Sequence, residues 1–312
     1  MTSMVLWEHY HLPTSVPEAL TLLARYDGRA RIVAGGTDLI LELEQGERPP
    51  VAALVDVSRI PGLNDIREEP GCIVVGAAAT HTRIEASPLI RTYATCLAES
   101  CGVIGGPQVR NVATIGGNVA HALPAADGTV SLVALQAEAQ IARLAEEAGR
   151  VMYEWRPIES LFRGPGQSAI DPTRELITAF RLRPHALGEG SAFARIMRPQ
   201  GLALPILGVA ARVRLSPDGM AYADVSICIG PAGPVPFRAQ SAEAALIGKP
   251  AESASMEAAI AAAQEEARVR TSKYRATAEY RREMVGVLLR RVVNAAVARA
   301  RRWLVVAAPT QP

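Results

Sequence analysis

The sequence predicts a mixed α+β fold in two domains, the first of α/β units and the second of antiparallel strands covered by helices. Three observations carry this. Between Arg31 and Val57 an apolar strand, a glycine turn, an amphipathic helix and a second apolar strand follow one another. Between residues 163 and 191 the chain is broken repeatedly, at Arg163-Gly164-Pro165-Gly166, Arg183-Pro184 and Gly188-Glu189-Gly190, which places a domain boundary there. Beyond it, two long apolar runs flank Ser216-Pro217-Asp218-Gly219 as a hairpin, and three helical patterns close the chain.

The elements can be justified in order. Ser15 with Glu18 three residues later and Pro17 in the first turn is a capping-box start, so a helix should run to about Tyr26. Arg31 to Ala34 reads as a strand entering Gly35-Gly36. Thr37 is placed to cap a second helix that ends at Gly46. Ala53 to Val57 is a buried strand, and short strands are expected at Asp65 to Glu68 and Cys72 to Val75. Helical stretches follow near Arg83 to Glu85 and Ile90 to Cys101. Residues 102–128 are rich in glycine and lack helical period, which predicts a long irregular loop, a kind that is usually functional. A short helix at Ser131 to Gln136 and strands at 139–142, 151–153 and 175–182 complete the first domain. In the second, 206–215 and 222–230 form the hairpin, and helices are expected at 240–247, 254–269 and 275–302. The last has an apolar face of Met284, Leu288, Val292 and Ala296. Its opposite face carries Arg281, Arg282, Arg290, Arg291, Arg299, Arg301 and Arg302 and should be solvated.

Composition narrows the function. The 312 residues are enough for two domains. With 33 basic and 31 acidic residues the net charge of +2 gives no footprint for nucleic acid or anionic membrane. Aromatic residues make up 4%, too few for a base-stacking surface. Glu8, His9 and His11 interrupt the start, which does not read as a signal peptide, and no apolar run is long enough to span a membrane. A cytoplasmic protein is expected. Cys72, Cys96, Cys101 and Cys228 form no CxxC pair, so no metal or iron–sulfur site is expected in this chain, and the thiols read as free and mostly buried.

Two segments carry the chemistry. Ala34-Gly35-Gly36-Thr37-Asp38, followed by Leu39, precedes a helix. Thr114-Ile115-Gly116-Gly117-Asn118 leads to Pro124-Ala125-Ala126-Asp127. Glycine at a turn before a helix permits positive φ and lets backbone N–H groups approach an anion such as a pyrophosphate, with the helix dipole assisting. Thr114 and Asn118 offer side-chain hydrogen bonds, and Asp127 can accept them from ribose or ribityl hydroxyls. A single such turn is more often plain geometry than a ligand site. GxGxxG and GxxxxGK[ST] are both absent, which excludes a Rossmann fingerprint and a P-loop. His81 and His121 have no second histidine at ligand spacing, and Ser100-Cys101-Gly102 is no nucleophile elbow. No catalytic acid–base pair or triad stands out.

Taken together and in this order, these segments resemble the FAD-binding medium subunit of the molybdenum hydroxylases, the xanthine dehydrogenase and aerobic carbon monoxide dehydrogenase family. The resemblance is carried by Ala34 to Leu39, by Gln108 to Asn118, by Pro124 to Asp127, by Val55-Asp56-Val57 with Ile60, by Ile73 to Ala77, and by Ala278 to Met284 with Leu288 to Arg291. It implies a vanillyl-alcohol-oxidase/PCMH-type FAD-binding domain at 1–184, with α/β subdomains of about 1–57 and 58–184. A small α/β C-terminal domain at 185–304, a three-stranded antiparallel sheet with helices, and a tail at 305–312 would follow.

The implied cofactor is non-covalent FAD. Residues matching the family's FAD loops are Ala34, Gly35, Gly36, Thr37, Asp38 and Leu39, then Thr114, Ile115, Gly116, Gly117, Asn118 and Asp127. Arg195 aligns with a basic residue that the family places near the flavin from the C-terminal domain. The sequence departs from the family at about Ala203, where carbon monoxide dehydrogenases have a tyrosine beside the isoalloxazine, leaving Leu202 or Leu204 to cover that face. The implied partners are a large molybdopterin-binding subunit and a small 2Fe–2S subunit in a dimer of heterotrimers, a heterohexamer. Substrate oxidation would lie on the large subunit and electron transfer through flavin on this one. The alternatives are a stand-alone flavoenzyme of the same superfold, for which His81 or His121 would be the covalent flavin link, and a scaffold that has lost its cofactor. The intact glycines and Asp127 argue against the scaffold.

Overall fold

The computed structural model describes residues 5–145, 150–198, 204–273 and 275–307. The first lobe is β1 (Trp7–His11), α1 (Val16–Tyr26), β2 (Ala30–Val33), α2 (Leu39–Glu44) and β3 (Val51–Asp56). Its strands form a parallel sheet in the order β1-β3-β2. The central strand β3 is apolar and its Ala53, Leu54 and Val55 are buried, as expected for a strand with neighbours on both edges. Ser15 caps α1 by accepting from the Glu18 N–H at 3.3 Å. Glu18 reaches back to the Thr14 N–H at 2.7 Å, one residue beyond the usual capping-box partner. Ala19, Leu20 and Leu23 of α1 bury its apolar face against this sheet.

The second lobe holds β4 (Ile66–Glu69) and β5 (Cys72–Gly76), then six short helices: α3 (His81–Ala86), α4 (Pro88–Tyr93), α5 (Thr95–Cys101), α6 (Pro107–Val112), α7 (Ile115–Ala120) and α8 (Asp127–Ala134). It closes with β6 (Glu138–Leu144), β7 (Val151–Pro157), a 3-10 turn at Ile158–Leu161, the small pair β8 (Phe162–Gly164) and β9 (Gln167–Ser168), and β10 (Glu175–Leu182). The main sheet is antiparallel in the order β4-β5-β10-β6-β7. The irregular loop expected over 102–128 is therefore corrected. It contains α6, which begins at Pro107, and α7, which is capped by Thr114. Six residues are too few to display a helical period, and the glycines of α7 read as loop. The helix expected from Ile90 to Cys101 is likewise two helices, since Ala94 adopts φ −152° and interrupts it.

The last part begins with β11 (Glu189–Met197), β12 (Pro205–Leu215), β13 (Tyr222–Gly230) and β14 (Phe237–Arg238). They form a four-stranded antiparallel sheet in that order, where three strands were expected. The additional strand is β14, two residues paired with Cys228 and Ile229. Helices α9 (Gln240–Leu246), α10 (Ser253–Glu266) and α11 (Ala278–Ala307) cover one face, where Leu288, Val292 and Ala296 meet Val209, Ala211 and Ile227. The opposite face presents Phe193, Ala210 and Cys228 to Leu97 and Val130 of the second lobe in one continuous core. The basic face of α11 is only partly solvated. Arg281 is buried and donates to the carbonyls of Arg270 and Pro231, and Arg299 pairs with Glu99 of α5.

Candidate functional site

The first glycine segment leaves the end of β2 and enters α2. Gly36 has φ +69°, a left-handed conformation that glycine adopts without strain. Gly35 is required for a different reason. A Cβ there would lie 2.2 Å from the Val112 carbonyl oxygen and 2.7 Å from Ala113 Cα. The first loop therefore sits directly on the chain that leads into the second segment, 77 residues later. Asp38, and not Thr37, is the residue before α2, and its side chain makes no capping bond. The N–H groups of Gly35, Gly36, Thr37 and Asp38 have no hydrogen-bond partner among the described residues. Four consecutive unspent donors at a half-exposed helix start form a concave electropositive turn suited to a phosphate.

The second segment is built differently. The Ile115 N–H donates to the Ala79 carbonyl at 3.1 Å and the Gly116 N–H to Ala77 at 2.8 Å. The Gly117 N–H donates to the Thr114 hydroxyl at 3.1 Å, and the Asn118 N–H to the Thr114 carbonyl at 3.0 Å. The donors expected to meet an anion here are already engaged, because the segment forms the capped first turn of a helix. Gly116 serves packing, since a Cβ would approach the Ala77 carbonyl oxygen to 2.6 Å. Gly117 is exposed, and its nearest obstruction would be Thr114 Oγ1 at 3.3 Å. It offers a bare helix surface to anything lying beside it. The Asn118 side chain accepts from the Thr129 N–H at 3.1 Å, tying α7 to the first turn of α8.

Asp127 opens α8 and is buried against Arg195 of β11, with which it forms an ion pair across the two domains. Burial pushes the Asp127 carboxyl up to about 6, and the guanidinium beside it opposes that rise. Arg195 also donates to the Val103 carbonyl, while its Nε is buried without a partner among the described residues. The sequence places Asp127 and Arg195 68 residues apart, and the fold brings them into direct contact. Leu39 is half-buried on α2. Leu202 lies outside the described residues, and Leu204 is exposed.

Two side chains gain a meaning that sequence reasoning missed. His121, at the end of α7, places Nε2 2.7 Å from Glu42 Oε1 on α2 and Nδ1 4.0 Å from Asp38 Oδ2. Burial alone would raise the Glu42 carboxyl, but His121 and Arg48 hold it below its ordinary range. The signal available in the sequence was the Asp38–Glu42 spacing of four, which puts both carboxylates on one face of α2. His81, by contrast, is buried, and burial and the nearby Arg110 push it down to about 4. It presents no surface for a covalent link. Cys96 and Cys101 are buried, and burial raises both thiols, so neither is poised as a thiolate. No cluster of three metal-ligating side chains occurs among the described residues.

The residues present fit an elongated dinucleotide. There are free backbone donors at one loop, an open glycine surface at the next, and a buried carboxylate–guanidinium pair where the second domain closes.

The pattern of the FAD binding domain in molybdopterin dehydrogenase matches residues 4–184, and that of the CO dehydrogenase flavoprotein C-terminal domain matches residues 191–296. The chain is similar to the carbon monoxide dehydrogenase medium chain of Hydrogenophaga pseudoflava, 31% identical over 93% of this chain and 97% of that one. It is also similar to a xanthine dehydrogenase FAD-binding subunit of Escherichia coli, 28% identical over 93% of this chain and 96% of that one. Among solved structures, a carbon monoxide dehydrogenase from Hydrogenophaga pseudoflava superposes with a TM-score of 0.85 at 30% identity, over 93% of this chain and 97% of that one. No helix among the described residues is long and apolar enough to cross a membrane.

Proposed function

The chain belongs to the family of FAD-binding oxidoreductase subunits of molybdopterin dehydrogenases, and on that premise we propose that it is the electron-transfer subunit of a molybdenum hydroxylase complex. It would take electrons from 2Fe–2S clusters of a small partner subunit and pass them to an external acceptor. Substrate would be oxidised at a molybdenum cofactor on a large subunit, in a cytoplasmic dimer of heterotrimers. When bound, FAD would supply a carrier that accepts electrons singly and releases them in pairs.

This chain's residues bind, orient and shield. The free N–H groups of Gly35 to Asp38 would hold the pyrophosphate, with Ala34 and Leu39 shaping that turn. Thr114, Ile115, Gly116 and Asn118 fix α7 so that Gly117 presents bare backbone to the cofactor. Asp127 and Arg195 would hold its hydroxyls and ring end by charge-assisted hydrogen bonds. The reading needs no catalytic base in this chain.

The observation that carries the reading is the contact of Gly35 with Val112 and Ala113, which joins two distant glycine segments into one cradle. Expression with its neighbouring genes tests it. Flavin, iron and molybdenum should co-purify with two further chains, and acid should release FAD from this one. A yellow chain that purifies alone, without iron or molybdenum, would support a stand-alone flavoenzyme instead.

A further inference from the structure

The cradle is closed at both ends. At one end Gly35 rests on the backbone of Val112 and Ala113. At the other, seven residues along the first segment and eight beyond Ala113, Glu42 meets His121 at 2.7 Å. Between these contacts lie the unspent donors of Gly35 to Asp38 on one side and the exposed Gly117 on the other. The two sides belong to different lobes. α2 connects β2 to β3 of the parallel sheet, while α7 is bonded through Ile115 and Gly116 to the backbone of Ala79 and Ala77. The Gly35 contact is backbone packing and cannot open without moving β2. The His121–Glu42 contact joins side chains, each about one-fifth exposed, and is the end that can part.

We infer that His121 and Glu42 form a clasp that sets the spacing between α2 and α7, and so governs how tightly and for how long the cofactor is retained. They are positioning residues, which act by holding α2 and α7 together. The pair is suited to this work. Its ring N–H donates to an ionised carboxylate, and the bond is charge-assisted through that acceptor. Glu42 is steadied from its other side by Arg48, and Asp38 stands 4.0 Å from the second ring nitrogen, so the ring has a carboxylate at each nitrogen. The inference rests on the cofactor reading above.

The test is a double-mutant cycle on FAD binding to the full chain. FAD is stripped from wild type, His121→Ala, Glu42→Ala and the double variant, and then titrated back by quenching of flavin fluorescence. The dissociation rate is followed by trapping released FAD. Each single variant should weaken binding by about tenfold, mainly through faster release. The double variant should be no weaker than the singles, because the pair acts as one unit. His121→Gln, which can still donate to Glu42, should recover most of the affinity. The urea midpoint of the flavin-free protein should shift little, which separates a clasp from general support of the fold. Wild type that binds FAD while His121→Ala binds within twofold of it would overturn the clasp and leave the cofactor reading standing. Losses that add in the double variant would overturn it as well. Wild type that binds no FAD would overturn both.

Discussion

Two glycines that look alike in the sequence do opposite work. Gly35 is shut in by backbone, with the Val112 oxygen where a Cβ would go, and Gly117 is open to solvent. Gly35→Ala should therefore destabilise the flavin-free protein by about 1–3 kcal/mol, the usual cost of overpacking, and force the two loops apart. A urea unfolding curve and an FAD titration on one preparation check both effects. The sequence located both segments, but not which glycine is open and which is shut in. That depends on Val112 and Ala113 lying against the first loop, a contact across 77 residues that local pattern does not encode. The pairing of Asp127 with Arg195 and of His121 with Glu42 was invisible for the same reason.

The long elements were legible and the short ones were not. β10, β12, β13 and α11 carry enough residues for a period of two or of 3.6 to show. α6 and α7 have six residues each, and their starts are marked only by Pro107 and Thr114. β11 was obscured by its own polar start, Glu189-Gly190-Ser191, which reads as loop. Those residues are buried because they have partners elsewhere. The Ser191 hydroxyl accepts from the Cys96 N–H at 3.1 Å. Cys96 lies in the first turn of α5, whose capping position is Ala94 and has no hydroxyl to offer. A strand of the C-terminal domain thus caps a helix of the flavin domain, and the domain interface is written into the capping of α5. Ser191→Ala should lower stability by about 1–2 kcal/mol, as loss of a helix cap does, while Ser226→Ala should not, because the Ser226 hydroxyl has no partner among the described residues. Chemical denaturation of the two variants side by side distinguishes these outcomes.

Across the whole molecule, buried titratable groups set the response to acid. Burial pushes His81 and His185 down to about 4, so both remain neutral in the folded state while the unfolded chain protonates them below 6.5. Stability from these groups is complete above 6.5 and is lost as pH falls toward 4. Asp127 acts in the opposite sense. Its carboxyl, raised to about 6 by burial, favours the folded state as pH falls from 6 toward 3.8. Two histidines outweigh one carboxyl, and the flavin-free protein should be less stable at pH 4.5 than at pH 7 by about 3 kcal/mol. Urea midpoints at the two pH values check this, and His185→Gln should remove part of the slope. The central claim is that the two glycine segments form one FAD cradle, and it is tested most directly by titrating FAD into flavin-free wild type and Gly117→Val side by side. Wild type should bind stoichiometrically with a flavin spectrum altered from that of free FAD. Gly117→Val, with an equal urea midpoint, should show no binding. Full flavin binding by Gly117→Val, or none by wild type, would contradict the account.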